Sequence, residues 1–235
     1  MARLPFVAHE NQFNLHLRFI LNSPRYGTVM SKVLLVHSSI FGENSQSLGL
    51  ARAFLKLYPH TSLVERILTP RSIPHLDSET FAAMRTPQSE LTVLQQQAVT
   101  LSDQLIGELE TADTILLAAP MYNFSIPSTL KAWIDHVARS GRTFRYSEKG
   151  PEGLLKGKKV FVLMTRGGIY SNGNASLDFQ KPYLTAVLSF IGLGDVTFIH
   201  FEGIGMGADT VKVNHAKALA ELEIVARENR AGASR

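Results

Sequence analysis

The stretch Ala118–Arg139, AAPMYNFSIPSTLKAWIDHVAR, decides how the rest of the chain is read. It continues an apolar run, Thr114–Ala119, whose length and β-branched start suit a buried strand. Pro120, Met121, Tyr122, Asn123 and Phe124 then continue neither a strand nor a helix. Pro127 stands where a first helical turn tolerates proline, and Ser125 or Ser128 is able to cap it. The helix Thr129–Arg139 is expected to run out at Gly141. A buried strand thus ends in a loop with two aromatics and an amide, and that loop opens onto a helix N-terminus. In an open α/β sheet ligands bind there, at the carboxyl ends of the strands. A flat conjugated ligand would lie against Met121, Tyr122 and Phe124. For an isolated MYNF, a loop that packs its own aromatics is the simpler reading, and the other strand ends decide between the two.

The run Val33–His37 reads as a central parallel strand. It feeds SSIFGENSQS, residues 38–47, and then a helical pattern in Leu48, Leu50, Ala51, Phe54, Leu55 and Tyr58. A strand, a hydroxyl-rich loop and a helix start form the layout of a phosphate site, because loop N–H groups and the helix dipole favour an anion. The loop is neither GxGxxG nor GxxxxGK[ST] and holds no lysine, so it suits one monophosphate rather than a dinucleotide or triphosphate. Taken alone, a serine-rich loop is equally a plain helix cap. Thr61–Ile67 reads as an edge-ward strand, residues 70–87 as an irregular covering segment, and Thr92–Glu110 as an amphipathic helix with Leu94, Ala98, Leu101, Leu105, Ile106 and Leu109 on its apolar face. Residues 142–153 read as a polar loop or hairpin carrying Phe144 and Tyr146. A fourth strand, Lys159–Thr165, ends in TRGGIY, where two glycines let the backbone approach a ligand that a Cβ would hold off. Helices over 183–191 and 211–227 and a strand over 196–201 complete the pattern. The alternation predicts an α/β fold: a doubly wound five-stranded parallel sheet, order 2-1-3-4-5, with helices on both faces.

Composition removes other classes. The 235 residues are 45% hydrophobic and 19% charged, an ordinary globular balance. There are no cysteines, which excludes disulfides, thiolate nucleophiles and cysteine-held metals and fits a reducing compartment such as the cytoplasm. Half of the net charge of +4 falls in residues 1–29, where Arg3, Arg18 and Arg25 face Glu10. The body is near neutral, with no basic stripe for nucleic acid and no apolar run of the roughly 18 residues that span a bilayer. No histidine pair at ligand spacing suggests a metal; His37, next to the phosphate loop, reads as a packed residue. Residues 1–29 lack sustained periodicity and read as a disordered extension ahead of a single domain over 30–230.

Taken together, SKVLLVHSS, SQS at 45–47, AAPMYNFSIPSTLKAWIDHVARSGRTFRY, GPEGL, RGGIY, PYL with FIG, and DVTF with EGI resemble the FMN-dependent NADH-azoreductase, or NAD(P)H:quinone oxidoreductase, family of flavodoxin-like flavoproteins. The resemblance runs from Met30 to about Ala220 and leaves out residues 1–29. It implies that Ser39, Ser45, Gln46 and Ser47 hold the FMN phosphate, that Met121, Tyr122, Asn123 and Phe124 lie along the isoalloxazine ring, and that Thr165, Arg166, Gly167 and Gly168 meet its pyrimidine edge. It implies a substrate pocket shaped by Phe144, Tyr146, Tyr170 and Phe190, partly from a second subunit of a homodimer, with NADH or NADPH as donor and quinones or azo compounds as acceptors. Two positions depart from the family pattern: Thr165 replaces a frequent serine, and Tyr170 stands where histidine is familiar. Hydride transfer between stacked rings needs positioning rather than an acid–base pair, and no side chain is singled out as catalytic. The competing expectation is a flavodoxin-type carrier of single electrons, against which the near-neutral body and the extra segments 70–87 and 142–153 both speak; a flavin-free regulatory domain is a third.

Overall fold

The computed structural model describes residues 31–171 and 175–231; the expectation for residues 1–29 lies outside them. Five strands, β1 (Ser31–His37), β2 (His60–Ile67), β3 (Thr114–Pro120), β6 (Lys159–Thr165) and β7 (Asp195–Phe201), form one sheet in the order β2-β1-β3-β6-β7. Every pairing in it is parallel. Two further strands, β4 (Phe144–Ser147) and β5 (Gly150–Gly153), make the antiparallel hairpin that residues 142–153 foreshadowed. The sheet order is therefore the expected 2-1-3-4-5, counted without the hairpin.

Strict alternation divides the core. Leu34 and Val36, Ile115 and Leu117, Val160 and Val162 point to one face, where they meet α3 (Val93–Thr111), α4 (Ser128–Val137) and α5 (Gln180–Phe190). Val33 and Leu35, Leu116 and Ala118, Phe161 and Leu163 point to the other, against α1 (Gln46–Leu57) and α6 (Ala208–Ala231). Burial on both faces is why the inner strands read as continuous apolar runs. A short helix, α2 (Ser78–Ala83), interrupts the 70–87 segment.

Three local expectations are corrected. Leu94 was placed on the apolar face of α3 but is 73% exposed, because the first turn of that helix, capped by the reciprocal Thr92–Gln95 pair, runs past the packed core. Neither Ser125 nor Ser128 caps α4: Pro127 occupies that position with no side-chain bond, and the Ser125 backbone closes a turn with Tyr122 instead. The same helix stops at Val137 rather than at Gly141. Thr143 Oγ1 bonds the Val137 carbonyl at 2.6 Å and takes the Arg139 N–H at 3.0 Å, which folds the chain back before another turn can form.

His37 ends β1 on the α1 face, 2% exposed, and neither ring nitrogen has a hydrogen-bond partner. Burial lowers its pKa below 6.5 against smaller opposing fields from Glu65 and Glu43, so the imidazole is neutral at pH 7. The unfolded chain takes up that proton first, so stability falls as pH drops through about 6.5. His37→Leu is expected to raise stability by about 1 kcal/mol at neutral pH, since it removes an unpaired buried polar group, and to flatten the acid side of the profile. Urea titrations across pH check this; unchanged or lower stability at pH 7 refutes it.

Candidate functional site

Three strand ends meet at the carboxyl edge of the sheet. From β1 comes the loop 38–45, with a short 3-10 turn at Gly42–Asn44 and two exposed apolar side chains, Ile40 and Phe41. Ser45 caps α1: its hydroxyl accepts the Leu48 N–H at 3.3 Å and lies 3.0 Å from the Ser47 hydroxyl. The N–H groups of Gln46 and Ser47, in the first helical turn, have no carbonyl one turn back to bind. Ser39 is tied to the next loop, its hydroxyl 3.2 Å from that of Tyr122. The Tyr122 hydroxyl also accepts the Ile40 N–H at 3.2 Å, so this side chain is a strut between two loops.

The MYNF loop is a tight turn. The N–H of Tyr122 donates to the Ser125 carbonyl and the N–H of Ser125 returns to Tyr122, at 3.0 and 3.1 Å. Asn123 and Phe124 between them have φ of +50° and +69°. Asparagine tolerates that region; phenylalanine does so at a cost of roughly 1–2 kcal/mol. Phe124 is nevertheless 46% exposed, with its ring edge-on to Tyr170 at 6.5 Å, so packing does not explain the strain. Strain of this kind, around a presented aromatic, is a mark of function.

The third loop, 165–168, is held from beneath through its carbonyls. Arg166, Gly167 and Gly168 accept from the N–H groups of Ile204, Gly205 and Gly203, at 3.1, 2.9 and 3.0 Å. Met121 N–H meets the Thr165 carbonyl at 2.8 Å, which joins this loop to MYNF. Gly203 makes the support possible: it has φ +77°, and a Cβ there would meet Asn214 and Thr210 at 3.0 Å. The carbonyls are tied down, and among the described residues the N–H groups of Gly167 and Gly168 have no acceptor. A Cβ on Gly167 would meet nothing within 4 Å, and its φ is not positive. Neither backbone nor packing asks for glycine at 167.

Arg166 lies under this loop, 2% exposed. Its guanidinium bonds Glu202 at 3.0 Å, Asp178 at 2.9 Å and the Gln180 amide oxygen at 3.2 Å, and Gln180 in turn donates to the Ala119 carbonyl at 3.0 Å. Its backbone N–H goes to Phe201 and its carbonyl to Ile204. All its polar groups are thus taken up inside the protein, and the Arg166 expected at the ligand edge acts as a support. Glu202 also accepts the N–H groups of Tyr170 and Ser171, at 3.1 and 3.3 Å, and the Ser171 hydroxyl at 2.7 Å. Burial raises its pKa, but the bonds from Ser171, Arg166 and Tyr170 outweigh it, so the carboxyl stays below its usual range. Sequence reasoning missed Glu202, Asp178, Gln180 and the 203–205 turn; the available signal was a carboxylate in EGI directly after an apolar strand.

Phe144, Tyr146 and Phe190 meet one another, with ring separations of 5.6 and 4.3 Å, but not the MYNF and glycine loops. They sit beyond the far end of α4, about 15 Å of helix from its start. Arg142 beside them pairs with Glu110, which precedes the amino end of β3. There Phe144 and Tyr146 border a cavity of about 860 Å³ with Leu76, Phe81 and Met84. Tyr170, by contrast, does stand at the glycine loop, where its ring faces Phe124.

Comparison with known proteins fits this geometry. Residues 31–225 match the model of the family described as having a flavodoxin-like fold. An FMN-dependent NADH:quinone oxidoreductase of Azotobacter vinelandii is 47% identical over 201 residues, covering 84% of this chain and 100% of that protein. The chain belongs to this flavodoxin-like family of oxidoreductases. A protein of the same name from Herminiimonas arsenicoxydans is 48% identical, over 82% of this chain and 95% of its own length. Among solved structures, an azoreductase from Bacillus anthracis superposes with a TM-score of 0.77 at 28% identity, covering 85% of this chain and all of its own.

Within this flavodoxin-like frame the glycine loop depends on Glu202. Glu202→Gln keeps the shape but leaves Arg166 with one carboxylate, and a loss of about 3 kcal/mol is expected. Because the carboxyl is held below its unfolded value, its contribution is present above about pH 4.3 and lost as pH falls through the folded pKa. The variant's stability should therefore converge on the parent's in acid. Denaturation at pH 7 and at low pH checks this, and an equal deficit at both removes the ionic explanation.

Proposed function

We propose that the chain is an FMN-dependent NAD(P)H oxidoreductase that transfers two electrons in ping-pong fashion to quinones and reductively cleaves aromatic azo bonds. The observation that carries this reading is the pair of N–H groups at Gly167 and Gly168 that have no partner among the described residues, beside open space where a Cβ at 167 would stand. They lie one loop from an exposed aromatic held in a strained turn. A polar ring edge placed there receives two amide dipoles, which favour added negative charge on that edge. Phe124 and Met121 border the ring face, and Tyr122 locks the first loop to the second. The phosphate falls to the first turn of α1, where Gln46 and Ser47 offer N–H groups and Ser39, Ser45 and Ser47 offer hydroxyls without a charged side chain among them. This donor set suits one monophosphate, as FMN carries. When bound, FMN would supply the redox chemistry, holding the hydride from NAD(P)H and one proton from water until both electrons and both protons pass to the acceptor. The chain's own task is to stack each reactant on the same face in turn and keep water out.

The reading includes a homodimer. Ile40, Phe41, Phe124 and Phe179 are exposed around the strand ends, a grouping that a partner surface would cover. A second copy would bring its Phe144, Tyr146 and Phe190 cluster over that opening and complete the substrate pocket. Cytoplasmic location fits the cysteine-free composition, and among the described residues no helix is long and apolar enough to cross a membrane.

Three measurements test the proposal. The purified protein is expected to show a flavin spectrum that NADH bleaches anaerobically and a benzoquinone restores; bound FMN untouched by NADH or NADPH would point to an electron carrier. Gly167→Val should keep the parent's melting temperature, since a Cβ there meets nothing within 4 Å, yet weaken FMN at least tenfold, or about 1.4 kcal/mol. Equal FMN affinity would remove the glycine loop from the site. Phe124→Gly relieves strain and adds chain entropy, so stability should move by under about 1 kcal/mol while turnover falls about tenfold. Unchanged turnover would leave the strained turn without a role.

A further inference from the structure

Beside the glycine loop, at the carboxyl end of β7, a cavity of about 620 Å³ opens between the starts of α5 and α6. Tyr170 lines it, and the same ring lies edge-on to Phe124 at 6.5 Å, so this aromatic borders both the cavity and the proposed ring site. The size is that of a small-molecule pocket. Its charge is specific. Arg166, Asp178 and Glu202 line the inner wall but satisfy one another. Lys181 on α5 and Lys217 on α6 reach it from two different elements, and among the described residues neither forms an ion pair. The Lys181 ammonium instead lies 5.3 Å from the centre of the Phe198 ring.

His200, between them, has Nδ1 buried without a partner. Burial first, then the Arg166 and Lys181 charges, hold its pKa below 6.5, so it adds a polar atom without a charge at neutral pH. Glu221, one turn beyond Lys217, feels the Lys181 charge but does not line the cavity.

We propose that this cavity is an anion subsite: Lys181 and Lys217 receive a phosphate, carboxylate or sulfonate carried by a reactant whose ring stacks beyond Tyr170. The proposal rests on the oxidoreductase reading for the reactant's identity. Two sources share the chemistry, the phosphates of the nicotinamide donor and an acidic substituent on the acceptor. Ping-pong exchange would let one subsite serve each in turn. Two cations reaching the cavity from two different helices match such a group better than a neutral quinone, which offers them no charge.

The test uses the double variant Lys181→Gln, Lys217→Gln in the full chain. Titration of isotope-labelled protein with inorganic pyrophosphate is expected to shift the amide signals of Ser171, Lys181 and His200, with at least fivefold weaker binding in the variant. Absence of those shifts, or equal affinity, overturns the subsite. In the FMN-loaded protein, two ratios of kcat/KM then assign the source: carboxylated over plain benzoquinone, and NADH over a benzyl dihydronicotinamide that lacks phosphates. A roughly tenfold fall in the first ratio assigns the acceptor, and in the second the donor; both ratios unchanged overturns the role in catalysis. If NADH does not reduce the parent protein at all, the oxidoreductase reading fails, while the pyrophosphate titration still decides the subsite.

Discussion

The buried guanidinium of Arg166 is the interaction on which the carboxyl edge of this sheet depends. It is flanked by two carboxylates and an amide, and through them it reaches Ala119 at the end of β3, Phe201 and Glu202 at the end of β7, and the start of α5. A charge so far from water is tolerable only when its partners are fixed, so the network is all-or-none. Once formed, it sets the height of the 165–168 loop and leaves the turn at 203–205 to tie down the loop's carbonyls. The surface of that loop is thus made of backbone, and its rigidity comes from the side chains packed beneath it.

A second constraint acts from the other side. Tyr122 pins the serine loop through its hydroxyl, and the turn it closes forces Phe124 into left-handed backbone space. The energy stored there is small beside the burial of the core, but it is spent on presenting an aromatic ring that has little packing of its own. Polar support beneath and a presented ring above are what a flat, partly polar ligand requires. The same arrangement suits a reaction in which placement of two rings does most of the work.

The fold was largely legible because its inner strands are buried on both faces. Thr114–Ala119 and Lys159–Thr165 are apolar throughout, and alternation with helical patterns permits few topologies. Errors arose where a local rule met a tertiary partner: the end of α4 was decided by Thr143 folding back, and the exposure of Leu94 by how far the core extends. The site was legible as loops rather than as contacts. The serines, MYNF and TRGG all lie at strand ends as read, yet Arg166 turned inward, and Phe144, Tyr146 and Phe190 gathered at the opposite end of α4.

The sequence by itself determined the parallel α/β sheet, its order and the three loops at its carboxyl edge, because these follow from short-range periodicity and local residue chemistry; the family came from the likeness of whole stretches to known proteins. Only the tertiary structure decided which groups in those loops are free. Hydrogen-bond saturation is a long-range property: residues 203–205 took the carbonyls of this loop, no acceptor among the described residues took the N–H groups of Gly167 and Gly168, and Arg166 is unavailable because Asp178 and Glu202 took its nitrogens. No local pattern in TRGG distinguishes the arginine that supports from the glycines that present; the residues that separate them lie twelve to thirty-six positions along the chain.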